Sequence, residues 1–197
     1  MPNDEARLIA RCKAGDTAGY AELVRLHQND VVNLLCHLLG NYEDACDSAQ
    51  ETFAKAFRSI RGFRGECRFS TWLYCIAMNT GRSMLRQRAV GGVEQGETAD
   101  PVSRGPDPWQ VASLAEQVAV AEKALKRLHV EHRQVIVLHE INGCCYEEIA
   151  QILDCAPGTV KSRLHRARAA LRETAERMLQ EHAAQATGDR NIEGNLR

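Results

Sequence analysis

Apolar residues along this chain recur at helical spacing from one end to the other. Asp16-Thr17 precedes Ala18, Ala21, Leu23, Val24 and Leu26, and the pattern continues through Val31, Val32, Leu34, Leu35 and Leu38 to Gly40. It predicts helices over 4–40, with the glycine as a C-cap. Between Tyr42 and Ile60, Ala45, Ala49, Phe53, Ala56 and Phe57 share one side of a helix, and Asp44, Asp47, Glu51, Lys55 and Arg58 the other. A helix over 71–88 carries Leu73, Ala77, Thr80 and Met84 on one face and Cys75, Asn79, Arg82 and Arg86 on another. Helices resume over 109–128 and 131–141. No stretch alternates with the period of two that a half-buried strand requires. The fold class expected is all-α.

The most informative stretch is 145–173, CYEEIAQILDCAPGTVKSRLHRARAALRE. Ile149, Ala150, Ile152 and Leu153 make a short apolar-faced helix over 146–154. At Cys155-Ala156-Pro157-Gly158 the chain breaks, and proline presets φ for the first turn of a new helix. Val160, Leu164, Ala167 and Leu171 then form one apolar stripe, with Thr159, Ser162, His165 and Arg166 opposite and Lys161, Arg163, Arg168 and Arg172 flanking. A short helix, a tight turn and a second helix that is basic on its outer face form a helix-turn-helix. Such a second helix fits the major groove of duplex DNA. Arg166 can donate two hydrogen bonds to a guanine edge, Thr159 and Ser162 can serve several bases, and the flanking cations can meet phosphates.

Residues 89–108, AVGGVEQGETADPVSRGPDP, hold three of the five prolines, several glycines, four acids and one base. That composition predicts a flexible acidic linker over 91–108 between two small helical domains, 1–90 and 109–180, with a polar, frayed tail over 181–197.

Charge sharpens this picture. The formal net charge of −1 argues against nucleic acid only if averaged over the chain. Residues 55–90 carry eight Lys/Arg and one acid, and 157–172 carry five and none, so DNA contact is expected in two compact places. The first block also holds six of the ten aromatics between Phe53 and Tyr74, interleaved with Arg58, Arg61, Arg64 and Arg68. Aromatic faces among cations can hold single-stranded nucleic acid. Phe53 and Phe57 lie on an apolar stripe and are expected in the core. Asn79, Arg82 and Arg86, at i, i+3 and i+7, form a strip able to face DNA.

No apolar run approaches the roughly 20 residues that span a bilayer, and the N-terminus lacks the pattern of a signal peptide, so a cytoplasmic protein is expected. The eight cysteines include no CxxC pair and read as reduced, small apolar side chains. A thiol or metal sensor built from Cys144, Cys145, Cys155 and His139 is the alternative they leave open. No nucleophile–base pair stands out, so neither catalysis nor a cofactor nor a resident metal is expected.

Together, NYEDACDSAQETFAKAFRSI, FRGECRFSTWLYCIAMNTGRSMLRQR and the segment 128–173 resemble the two domains of a bacterial RNA polymerase sigma factor of the extracytoplasmic-function class. That resemblance implies core RNA polymerase and promoter DNA as partners, with an anti-sigma protein controlling access. It implies that Asp44, Asp47, Gln50 and Glu51 dock on polymerase. Phe63, Arg64, Arg68, Trp72, Asn79, Arg82 and Arg86 would recognise and open the minus-ten element, where extruding a base costs a few kcal/mol of unstacking. Thr159, Lys161, Ser162, Arg163, His165, Arg166 and Arg168 would read the minus-thirty-five duplex. Two residues depart from the family pattern. His129 stands where proline is common, and Cys145 replaces the hydroxyl residue ahead of Tyr146-Glu147-Glu148 in a capping box. The rival readings are a stand-alone helix-turn-helix regulator with thiol or metal sensing, and a purely protein-binding helical module.

Overall fold

The computed structural model describes the backbone of residues 2–91 and 108–193, and the side chains of 4–89 and 117–179. The expected linker therefore falls largely outside the described residues, as does the last part of the tail. Four helices precede the gap: α1 (Pro2–Lys13), α2 (Thr17–Leu39), α3 (Tyr42–Ser59) and α4 (Phe69–Gly91), with a 3₁₀ turn at Ile60–Gly62. Four follow it: α5 (Pro108–Arg127), α6 (Val130–Ile136), α7 (Tyr146–Leu153) and α8 (Pro157–Glu193), with a π turn at Val137–Ile141 after α6. No strand occurs among the described residues.

Local chemistry sets the helix boundaries. Asp16 caps α2 by accepting from the amides of Ala18 and Gly19 at 2.9 and 3.0 Å, and Asn41 caps α3 through Glu43 and Asp44 at 2.8 and 3.2 Å. Between them, Gly40 ends α2 at φ 72°, and its amide donates to the Cys36 carbonyl. The helix expected over 131–141 is divided, because Asn142 N–H reaches back five residues to the Val137 carbonyl at 3.0 Å. α8 runs as helix to Glu193, past the point where a frayed tail is expected.

The α3 stripe differs in detail from its pattern. Ala45, Ala49 and Ala56 are buried with Ser48 and Thr52, whose hydroxyl donates to the Ser48 carbonyl at 2.7 Å. Phe57, expected in the core, is 43% exposed and meets Tyr20 edge-on at 4.8 Å. The small residues leave room for α3 to lie close, and the larger ring turns outward along the α2 surface.

The two halves do not stand apart. Buried residues from α2 and α4 and from α6, α7 and α8 form one continuous core. At Gly81, α4 approaches α2 so closely that a Cβ would lie 2.6 Å from a Leu38 methyl carbon. A buried polar link with several partners is Arg133 of α6, 5% exposed. Its guanidinium donates to the carbonyls of Leu125 (3.1 Å), Leu128 (3.1 Å) and Lys126 at the end of α5, and to that of Leu38 at the end of α2 (2.8 Å). Carbonyls at helix C-termini lack intrahelical donors, and one planar, five-donor fork supplies both helices.

Candidate nucleic-acid interface

The C-terminal motif is built locally. α7 ends at Asp154, whose φ of 52° and ψ of 57° make it the one non-glycine residue with positive φ among the described residues. Aspartate tolerates this left-handed conformation better than most residues. The turn lets α8 start at Pro157, with the Thr159 and Val160 amides donating to the Ala156 carbonyl. Val160, Leu164 and Ala167 are fully buried and seat α8 on the core.

That burial decides what the other face presents. Lys161, Ser162, His165 and Arg166 are exposed, and Thr159 is half-buried. Arg166 Nε donates to the Ser162 carbonyl at 3.3 Å, which lays its guanidinium along the outer face. Two flanking cations are held by carboxylates: Arg168 by Glu140 at 2.5 Å and Arg163 by Glu131 at 3.5 Å. The start of α6 at His129 has no side-chain cap. In the capping box of α7, the Cys145 amide donates to Glu148 Oε2 at 3.0 Å, so the glutamate half forms although a thiol replaces the hydroxyl. Burial works against the Glu148 charge, but the Cys145 amide and the Thr71 hydroxyl outweigh it and hold its carboxyl below the usual range.

The aromatic and arginine block divides into two surfaces. Phe63, expected to face nucleic acid, is only 7% exposed and belongs to the core. It packs on Phe69 and Trp72 at 5.5 and 5.3 Å, and Trp72 is half-buried between them. Sequence spacing cannot tell a ring that closes a core from one that stacks on a base. Arg64 and Asn79 are open to solvent.

The strip of Cys75, Arg82 and Arg86 lies along the seam with the second half. Arg82 Nη2 donates to Gln134 Oε1 at 3.0 Å, and Cys75 Sγ lies 3.8 Å from the Gln151 carbonyl. Arg68 pairs with Glu148 at 3.6 Å. Arg82 and Arg86 also line a groove of about 800 Å³ with Arg163, Asp154 and Cys155. Burial, then repulsion from Arg163 and Arg86, lowers the affinity of Arg82 for its proton.

The expected docking face lies on α3. Asp47, Gln50 and Glu51 are exposed, with Glu51 held by Lys55 at 2.8 Å. Asp44 is drawn into an ion pair with Arg88 of α4. For the sensor alternative, His139 Nδ1 faces the Cys144 carbonyl at 3.0 Å, and no group of three or more His, Cys, Asp or Glu able to hold a metal occurs among the described residues. No described helix is long and apolar enough to cross a membrane. Sequence reasoning missed Thr71 and Gln134, whose partners lie in distant segments, and Arg133, which joins the nearby end of α5 to distant Leu38; none of them leaves a periodic trace.

An all-helical chain with a helix-turn-helix at one end and a basic-aromatic helical body at the other defines a two-part DNA-binding protein. The family description "Sigma-70 region 2" matches residues 23–90, and "Sigma-70, region 4" matches 119–171. The RNA polymerase sigma-H factor of Pseudomonas aeruginosa is 31% identical over 186 residues, covering 90% of this chain and 96% of the relative. The ECF RNA polymerase sigma-E factor of Haemophilus influenzae is 34% identical over 174 residues, covering 82% and 89%. Among solved structures, CnrH in complex with the cytosolic domain of CnrY aligns with a TM-score of 0.66 at 25% identity, over 88% of this chain and 97% of that one. The sigma factor RpoE in complex with the anti-sigma factor NepR from Bartonella quintana aligns with a TM-score of 0.66 at 28% identity, over 80% and 96%. The chain belongs to the sigma-70 family of RNA polymerase sigma factors, in its extracytoplasmic-function class.

Proposed function

We propose that this protein is a transcription initiation factor that binds core RNA polymerase in the cytoplasm and directs it to particular promoters. The observation that carries the reading is the pairing of two DNA-facing elements on one chain, in the order of the two family regions. α8 presents Lys161, Ser162, His165 and Arg166 to the minus-thirty-five duplex, with Thr159 at its entry and Arg163 and Arg168 on its flanks. α4 presents Asn79, Arg82 and Arg86 to the minus-ten element, with Arg64 and Arg68 just ahead of it. Trp72, half-buried, is the aromatic ring proposed to serve that surface. Phe63 supports Trp72 from below and does not meet a base itself. Asp47, Gln50 and Glu51, with Asp44 behind them, dock on polymerase. The RNA chemistry belongs to the polymerase, so the chain needs no catalytic group.

An anti-sigma protein fits as the controlling partner, since two structural neighbours are complexes, one of them with a named anti-sigma factor. The test is run-off transcription with core polymerase and genomic fragments. Transcripts from defined start sites that appear only when this protein is added support the reading. Duplex binding without any core-dependent transcript favours a stand-alone regulator.

A further inference from the structure

Two cations reach the aromatic cluster from outside the surface assigned to DNA. Lys13, the last residue of α1, holds its Nζ over the face of Phe63, 5.5 Å from the ring centroid. Phe63 packs in turn on Trp72 at 5.3 Å, so a single ring separates this ammonium from the ring proposed to meet a base. Arg61, in the 3₁₀ turn two residues before Phe63, extends toward the turn that joins α1 to α2. Its Nη2 lies 3.9 Å from where a Cβ on Gly15 would stand. Helix α1 and the 3₁₀ turn thus bring together two charges that lie far apart in the sequence.

Both charges stay open. Arg11, two residues before Lys13, is held by Asp16 at 2.7 Å and by Glu22 at 3.6 Å, an arrangement that also occupies the two acids. Among the described residues Lys13 and Arg61 form no ion pair. Arg64, which follows Phe63, meets Glu66 only at 3.8 Å, with both side chains largely exposed. A cation over an aromatic face is attracted to the ring yet keeps its full charge. The ring also fixes its place, so less side-chain freedom is lost when an anion arrives. An unpaired base that stacks on a ring brings its phosphates along, and a surface that captures a strand sets cations beside that backbone.

We propose that α1 takes part in promoter opening: Lys13 and Arg61 hold phosphates of the unpaired strand next to the nucleotide captured at Trp72, and Arg64 continues the path. The inference rests on reading the α4 surface as the strand-binding element. It extends that surface to a helix that precedes the matched family region, which begins at residue 23. The contacts go to phosphate, so they position the strand and carry no base preference. Because they flank the ring that takes an unpaired base, they act once the strands have parted and not in the first encounter with closed DNA.

Lys13→Met with Arg61→Met removes both charges and leaves long apolar side chains that can still pack on Phe63. Holoenzyme assembled on core polymerase is titrated with two fragments of a promoter found by run-off transcription. One fragment is closed throughout. The other keeps a closed minus-thirty-five element but leaves the non-template strand unpaired from the minus-ten element onward. The double variant should bind the unpaired fragment about fivefold more weakly, and its slope of log affinity against log salt should fall by about 1.4, at about 0.7 per single-strand phosphate. Affinity for the closed fragment should stay within about twofold of the parent. Lys13→Arg alone should bind both fragments as the parent does, and so should Lys123→Met, which removes an exposed charge on α5. Equal binding of the unpaired fragment by parent and double variant overturns the proposal. An equal loss on both fragments, or a loss of the same size in Lys123→Met, overturns it too, since either marks a general effect of charge. A parent holoenzyme that binds the two fragments alike instead removes the reading of the α4 surface, and the inference falls with it.

Discussion

Arg133 Nη1 donates to the Leu38 carbonyl at 2.8 Å, across 95 positions of the chain. The same guanidinium serves three carbonyls at the end of α5, and burial lowers its proton affinity. Arg133→Ala would strand these carbonyls without donors, and a loss of about 3 kcal/mol in denaturant unfolding is expected. Lysine has no planar fork, so Arg133→Lys should recover less than half of that loss.

The Asp154 turn sets the angle between α7 and α8. Asp154→Val places a branched side chain at positive φ and should lower stability by about 1–2 kcal/mol. Asp154→Gly should stay within about 1 kcal/mol of the parent, since glycine relieves strain but loosens the unfolded chain. Thermal melting of the two variants checks both values.

Base reading and phosphate contact separate by mutation. Arg166→Ala should cost about 1–3 kcal/mol of discrimination at one base position, while Lys161→Ala weakens all duplexes alike and lowers the salt slope by about 1. Competition binding across a promoter library at two salt concentrations resolves these effects. Uniform losses from both changes would contradict the base-reading role.

Asp47 and Glu51 are exposed on α3, away from the core. Asp47→Ala with Glu51→Ala should weaken core polymerase binding about tenfold, near 1.4 kcal/mol, and leave duplex binding by the free chain unchanged. Titration of labelled core polymerase measures the first, and gel shift the second.

Tyr20 donates to the Phe53 carbonyl at 2.6 Å, and burial pushes its hydroxyl up to about 12 from an ordinary value of 10. Its contribution to stability is complete below pH 10 and is lost as pH rises toward 12. Melting curves over that window should fall more steeply for the parent than for Tyr20→Phe.

The helix-turn-helix was legible because everything that defines it lies within some thirty consecutive residues: two apolar stripes, a proline start and a basic outer face. The caps at Asp16, Asn41 and Gly40 were local in the same way. The aromatic block was not, because Phe57 and Phe63 exchange the exposures their spacing suggests, and the cover over Phe63 comes from Phe69 and Trp72 of α4, whose packing spacing alone does not reveal. The seam was least visible. Thr71 and Glu148 are separated by 77 positions, and neither residue type signals a partner at that distance.

At Gly81 the bare backbone of α4 takes the Leu38 and Leu35 side chains of α2, whose methyl carbons lie 2.6 and 3.1 Å from where a Cβ would stand. Side chains seated that tightly leave α4 no room to slide along α2, so the two helices move as a pair. Any larger residue at that position would wedge the pair apart and give each helix a freedom that the present seating denies it.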